Sequence, residues 1–201
     1  MNPGKIIDGA HHTPTYTQSG VPFLRVTDIH SDTIDPRRTK FVSLKEHKNL
    51  AARCSPKKGD ILLSKNGTVG IAKLINWDWE FSIFVSLAMI SINAYSGVKG
   101  EFLESVINSK IVKKQIENRS KQGTVTNLHL EEIRDFNIPT PPEEEQIKIA
   151  NISKSYEDRV RNERHRLTKL LASKSGLMDD LLTGRVRVTP LLDQAQATTP
   201  A

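Results

Sequence analysis

The sequence predicts an α+β protein: a mixed, β-rich globular domain over residues 1–139, then one long α-helix over residues 140–185 that pairs with a helix of another chain as a coiled coil. Three observations predict it. Short apolar runs rich in β-branched residues recur between residues 21 and 92 and are separated by Gly, Pro and Asn. A proline-rich join, Ile138-Pro139-Thr140-Pro141-Pro142, runs straight into Glu143-Glu144-Glu145-Gln146. Beyond that join the apolar residues change to a helical period and keep it until Gly184.

Residues 1–20, rich in Gly, His, Thr and Pro, read as a loop. Strands are expected over Val21–Val26 and Lys40–Ser43, and a short helix over Leu44–Arg53. Ile61-Leu62-Leu63-Ser64 reads as a buried strand because its apolar run is continuous. Asn66-Gly67 tolerates positive φ at both positions, so residues 60–75 read as a hairpin returning through Val69–Ile75. Phe81–Ile92 supplies one or two more strands, Glu101–Gln122 turns helical with a break near Asn108-Ser109, and Leu130–Arg134 is one more helical turn.

Thr140 and Glu143 have the spacing of a capping box, and the adjacent prolines fit a helix start, where a missing N–H costs nothing. Three glutamates in the first turn suit the positive end of the helix dipole. From Glu143 to Thr183 such a helix spans about 60 Å, against a radius of gyration of about 14 Å for a domain of this size. A seam runs through Ile149, Ser153, Tyr156, Val160, Glu163, Leu167, Leu170, Lys174, Leu177 and Leu181 at alternating steps of four and three, and seven of the ten are apolar. That 3.5-residue period is a coiled-coil signature. The plainer reading is a helix folded back on its own domain. No second helix of equal length is present in the sequence, so the partner is expected to be another chain, most simply a second copy. The tail over residues 186–201 is expected to be disordered.

Charge separates the same two parts. Residues 1–139 carry 19 basic and 14 acidic side chains, residues 140–201 carry 10 and 9, and the chain totals +6. A basic globular part favours a polyanion, nucleic acid foremost. One cysteine, Cys54, excludes an internal disulfide framework and suits a reducing compartment. The opening residues carry no apolar leader, and Phe81–Ile92 is too short and too polar to span a bilayer, so a cytoplasmic protein is expected.

Catalysis finds no foothold. Gly67-Thr68-Val69-Gly70 lacks the lysine of a phosphate loop. Thr140-Pro141-Pro142-Glu143 lacks the amide and aromatic group that would hold a flipped base. Glu46-His47-Lys48 lacks the upstream carboxylates of a metal-dependent nuclease, and His11-His12 has no Cys or carboxylate spacing to complete a metal site. No cofactor, no metal and no catalytic residue are expected.

Five motifs then stand in one order: Asp8-Gly9-Ala10-His11-His12-Thr13-Pro14-Thr15-Tyr16; Gly20-Val21-Pro22-Phe23-Leu24-Arg25; Gly59-Asp60-Ile61-Leu62 with Asn66-Gly67-Thr68-Val69-Gly70; Gly123-Thr124 to Leu128; and Ile138-Pro139-Thr140-Pro141-Pro142 with Glu145-Gln146. Over residues 6–187 this order resembles the specificity subunits of type I restriction–modification systems. The resemblance implies a non-catalytic target recognition domain reading one half of a bipartite double-stranded DNA sequence. It implies that the helix is a spacer that pairs antiparallel with its counterpart and docks adenine methyltransferase subunits, with a restriction subunit as a further partner. Family chains carry two recognition domains and two helices; one of each here implies a half-subunit that dimerises. They also carry a strand ahead of the Asp-Gly loop, and with seven residues before Asp8 the sheet is expected to lack that edge.

For base-edge contact, where paired donors and acceptors are needed, the candidates are Lys65, Asn66 and Thr68 in the hairpin turn and Gln122, Thr124 and Asn127 after the basic helix. For phosphate contact they are Lys110, Lys113, Lys114, Arg119 and Lys121. His11, His12, Thr13 and Tyr16 either face DNA or brace their loop. The plainer readings are a solvated charged face for the basic helix and an ordinary turn for Asn66-Gly67. The competing functions are a coiled-coil assembly or regulatory protein, and an inactive truncated fragment that dimerises with a full-length specificity subunit.

Overall fold

The computed structural model describes residues 6–30, 33–92, 97–119 and 127–189. The strands are β1 (Ile6–Asp8), β2 (Tyr16–Thr17), β3 (Val21–Leu24), β4 (Lys40–Val42), β5 (Ile61–Ser64), β6 (Ala72–Leu74), β7 (Ser82–Ile83) and β8 (Leu87–Ile90). The helices are α1 (Val26–Ile29), α2 (Leu44–Ala51), α3 (Gly100–Asn108), α4 (Lys110–Arg119), α5 (Leu130–Arg134) and α6 (Glu143–Leu182). This is the α+β class with a long C-terminal helix. Packing divides the chain into two units, Met1–Ser153 and Lys154–Ala201.

One sheet has the order β1-β8-β5-β6 and is antiparallel throughout. The other has the order β2-β4-β3-β7 and is mixed, because β3 and β7 run parallel. Side chains alternate across a strand, and the first sheet uses both faces. Ile61, Leu63, Ala88 and Ile90 enter a core shared with Phe102, Leu103, Val106 and Ile107 of α3, Val112 and Ile116 of α4, and Ile133 of α5. Leu62, Leu87 and Met89 point the opposite way, toward Leu24, Ile29, Phe81 and Ile83. The continuous apolar run of β5 is thus explained: no residue of Ile61–Leu63 faces water.

Four local expectations change. Residues 1–20 are not all loop, since β1 and β2 lie among them. The sheet does not lack its expected edge, because Ile6–Asp8 pairs with Ala88–Ile90. Asn66-Gly67 is not a two-residue turn: β5 and β6 pair only as far as Leu63 with Ala72, no non-glycine residue among those described has positive φ, and a loop intervenes. Thr140 does not cap α6. Its hydroxyl donates to the Ile138 carbonyl, while Pro142 O receives the N–H groups of Glu145 and Gln146. The break between α3 and α4 falls at Ser109, whose hydroxyl accepts from Ile111 N–H.

The start of α6 is tied down through Gln146, which is buried. Its Oε1 accepts from Lys99 N–H at 2.9 Å, and its Nε2 donates to Gly97 O and Pro141 O at 2.7 and 2.9 Å. The helix ends as its sequence indicates, with Gly184 at φ +71 and its N–H donating to Leu181 O. Between these ends Ile149, Tyr156, Val160, Leu167, Leu170 and Leu177 are all exposed, Tyr156 to 64% and Leu170 to 58%. The tail residues 190–201 lie outside the described residues.

Candidate nucleic-acid interface

The loop between β5 and β6 is held at its neck and on both flanks. Ser64 and Ile71 close the neck: Ser64 N–H donates to Ile71 O, and Ile71 N–H donates to Ser64 Oγ at 2.8 Å. On one flank Lys65 O accepts from Leu128 N–H at 2.7 Å, and Asn66 bridges Asn127 in antiparallel fashion. On the other flank α4 packs close. A Cβ on Gly70, which sits at φ +84, would lie 2.7 Å from Ile116 Cδ1. Asn66, Thr68 and Asn127, two of them more than fifty residues apart in sequence, are therefore brought to one place. Thr68 and Asn127 are exposed and Asn66 is half-buried. Gln122 and Thr124 lie outside the described residues, as does Lys121.

On α4, Val112 and Ile116 face the core, which turns Lys110, Lys113 and Lys114 to solvent. None of these three makes an ion pair among the described residues. Arg119 is different: its guanidinium lies 5.3 Å from the Phe136 ring centre and donates to Gln115 O, so it is braced on the domain.

Lys65 is buried. Its ammonium lies 3.4 Å from Asp8 Oδ2, and its side chain keeps 9% of its surface. Asp8 is the hub of this cluster. Its carboxylate also pairs with Arg53 and accepts from His11 Nε2 at 3.0 Å. Arg53 donates a second bond, to Gly9 O at 2.6 Å. Burial alone pushes the Asp8 carboxyl up, but the hydrogen bonds from His11 and Arg53 and the charges of His11 and Lys65 outweigh it and hold it below the ordinary 3.8. One carboxylate so joins β1, the Asp-Gly loop, the end of α2 and the start of the β5–β6 loop. Arg53 has no signal in the sequence; its partners lie more than forty residues away.

Beside this hub, His11, His12, Asn49, Arg53 and Cys54 line a cleft of about 470 Å³. His12 Nε2 is 3.2 Å from Glu46 Oε1, and Thr13 is exposed. Tyr16 stacks edge-on against Phe23 at 6.0 Å and carries Lys40 over its ring at 5.7 Å. Tyr16 and His11 thus brace neighbouring elements, while His12 and Thr13 lie at the surface. Gly9 has its own requirement. Its neighbour Ala10 donates to Ile83 O, and a Cβ at Gly9 would lie 2.0 Å from that same oxygen. Gly9→Ala is expected to cost about 3 kcal/mol, the upper end of overpacking penalties, read as a lower urea midpoint with unchanged m-value.

Among the described residues no group of three or more His, Cys, Asp or Glu side chains is placed to hold a metal ion, and no helix is long and apolar enough to cross a membrane. Exposed lysines on α4 beside the polar β5–β6 loop give this part of the surface a positive charge that suits an anion. The sequence profile of the type I restriction modification DNA specificity domain matches residues 8–172, and the chain belongs to that family. Specificity subunits of these systems are DNA-recognition components, not catalysts. The EcoBI type I restriction enzyme specificity subunit of Escherichia coli is 26% identical over 133 residues, covering 66% of this chain and 28% of that protein. Three solved chains share the fold. One belongs to a structure addressing complex assembly and conformational transition of the type I R-M system (TM-score 0.61, 21% identity, 84% of this chain and 39% of that one). The others are the HsdS subunit from Thermoanaerobacter tengcongensis (0.51, 19%, 81% and 39%) and the type I S subunit from M. genitalium (0.52, 17%, 86% and 41%). The chain thus spans well under half the length of these relatives.

Proposed function

We propose that this chain reads one half of a bipartite double-stranded DNA target and directs type I adenine methyltransferase subunits, with a restriction subunit as a further partner, to that target. Two copies join through α6 as an antiparallel pair, and the complex acts in the cytoplasm. The globular part over residues 1–139 is the target recognition domain, and residues 140–185 are the spacer and dimerisation helix. The observation that carries the reading is the convergence of Asn66, Thr68 and Asn127 beside the solvent-facing lysines of α4, which form no ion pair among the described residues, in a chain of the specificity family. Polar side chains at a loop tip suit base edges, and cations on a neighbouring helix suit the phosphates that set the register.

In this reading Asn66, Thr68 and Asn127, together with Gln122 and Thr124, meet base edges. Lys110, Lys113, Lys114 and Lys121 meet phosphates. His12 and Thr13 face the DNA from the neighbouring loop. Lys65 and Arg119 act indirectly, the first by holding the loop to Asp8 and the second by bracing α4 on Phe136. Ile149, Tyr156, Val160, Leu167, Leu170, Leu177 and Leu181 form the pairing seam.

Adenine methylation mapped across a genome, in cells co-expressing this chain with a type I modification subunit, tests the whole. A new interrupted palindrome is expected, because a two-fold protein reads a two-fold site. An asymmetric motif means that another chain supplies the second half. A stable complex without any motif returns the reading to an assembly protein or an inactive fragment. The phosphate-facing lysines have their own test. Replacing Lys110, Lys113 and Lys114 with alanine is expected to flatten the slope of log affinity against log salt by about three, near 0.9 for each phosphate no longer neutralised. A slope equal to that of the unaltered chain assigns those lysines to a solvated face.

A further inference from the structure

Strand β6 stands at the end of its sheet, and among the described residues no strand lies beyond it. An open strand edge invites wrong partners, and proteins cover such edges. Side chains of α3 cover this one. Ala72 turns both of its backbone polar groups outward, and the Asn108 amide takes both. Its Oδ1 accepts from Ala72 N–H at 2.9 Å, and its Nδ2 donates to Ala72 O at 3.0 Å. Glu104 Oε1 accepts from Leu74 N–H at 3.0 Å. A side-chain amide carries the same donor and acceptor as a peptide group, so Asn108 completes the ladder as a residue of a further strand would.

The place of Asn108 in the chain gives this clamp a second consequence. Asn108 is the last residue of α3, and α4 begins at Lys110. Ser109, between them, is tied to both helices. Its hydroxyl donates to Val106 O at 2.6 Å and accepts from Ile111 N–H at 3.1 Å, and its carbonyl accepts from Lys113 N–H at 3.1 Å. The clamp on Ala72 therefore holds the N-terminal end of the helix that carries Lys110, Lys113 and Lys114. Ala72 in turn follows Gly70 and Ile71, which close the β5–β6 loop, and pairs with Leu63 just ahead of the neck residue Ser64. One amide so joins the root of the loop to the root of the helix. The close approach of Gly70 to Ile116 leaves little slack between them.

We propose that Asn108 is a positioning residue for DNA recognition, holding the phosphate-facing lysines of α4 at a set distance from the base-facing tip of the β5–β6 loop. This rests on the reading above, in which the loop meets base edges and α4 meets phosphates. Phosphate contacts fix the register at which base contacts are made, so the spacing between the two sets decides whether both form on one duplex. Non-specific binding draws on the phosphates alone and is indifferent to that spacing.

The test uses the full chain with its modification subunit and a pair of duplexes, one carrying the motif found by methylation mapping and one with that motif scrambled. Asn108→Ala is expected to lower the ratio of the two affinities about tenfold, the scale of one lost base contact, with the scrambled duplex bound as before. Asn108→Gln keeps the donor and the acceptor on a longer arm. It is expected to lower the same ratio, because the bonds re-form at a different spacing, while its urea midpoint falls less than that of Asn108→Ala. A ratio unchanged in both variants, whatever their urea midpoints, overturns the positioning role and leaves Asn108 as the cover of a strand edge. An unaltered chain that yields no motif, or binds the two duplexes alike, overturns the DNA reading and the role of Asn108 with it.

Discussion

Replacing Asp8 with alanine is expected to cost the domain about 3 kcal/mol, near the lower end of what removing one partner from a buried ion pair costs. The lower end applies because Arg53 keeps half of its side-chain surface in water, whereas Lys65 does not. Lys65 would be left buried without its anion, and the Asp-Gly loop, α2 and the β5–β6 loop would lose their common tie. DNA binding should fall further than stability explains, since the tip carrying Asn66 and Thr68 is anchored through Lys65. Asp8→Asn separates the two effects. It keeps the shape and the acceptor from Arg53, so a fold restored in urea titration with DNA affinity still reduced identifies the charge as the positioning element. Equal recovery of both would make Asp8 a fold residue alone.

The same carboxylate predicts a pH dependence. Its value in the folded state lies below the ordinary 3.8, so the unfolded chain takes up the proton first as pH falls. The stabilisation is therefore complete above about pH 5 and disappears as pH drops through 3.8 and below the folded value. Urea midpoints of the unaltered chain should decline across that window more steeply than those of Asp8→Asn. Parallel declines would mean that Asp8 carries no net favourable interaction.

The second large effect concerns the seam. In the homodimer proposed above, replacing Leu170 with glutamate is expected to raise the dissociation constant by about a thousandfold or more. Each copy loses roughly 2 kcal/mol of leucine burial, the lesion occurs twice by symmetry, and about 4 kcal/mol corresponds to three decades. Leu170 is 58% exposed in the single chain, so the helix itself should survive. Sedimentation equilibrium reads the constant, and binding to a single half-site should persist while binding to the bipartite site falls. A Leu170→Glu chain that remains dimeric would place the pairing surface elsewhere.

Much of the fold is legible in local sequence. The break at Asn108-Ser109 shows because two poor helix formers stand together there although the apolar spacing stays roughly helical, and α3 and α4 do part at Ser109. The strand β5 is legible because four consecutive non-charged residues with three large aliphatics suit burial on two faces. The Asn66-Gly67 turn is not, because Asn-Gly permits a tight turn without compelling one. The hydrogen bonds of Leu128 and the packing of Ile116 hold a wider loop instead. β1 is hidden because three residues carry too little pattern to register, yet Ile6–Asp8 needs only an available edge on β8 to become a strand.

The candidate site divides along the same line. Asn66, Thr68 and Asn127 can be nominated one by one for their side-chain chemistry, but their meeting depends on a bridge between segments distant in sequence. Lys65 carries the right chemistry for DNA and the structure buries it; Arg53 carries no local signal and proves central.

By itself the sequence determined the class of fold, the extent and C-terminal cap of the long helix, its apolar seam and the basic character of the domain, because periodicity, capping and charge are properties of neighbouring residues. The tertiary structure alone decided which cations remain available and which are spent on Asp8, why Gly9 tolerates no side chain, and how the β5–β6 loop comes to stand between α4 and Asn127. Those outcomes depend on packing between residues far apart in the chain, and a local pattern carries no record of who its distant neighbours are.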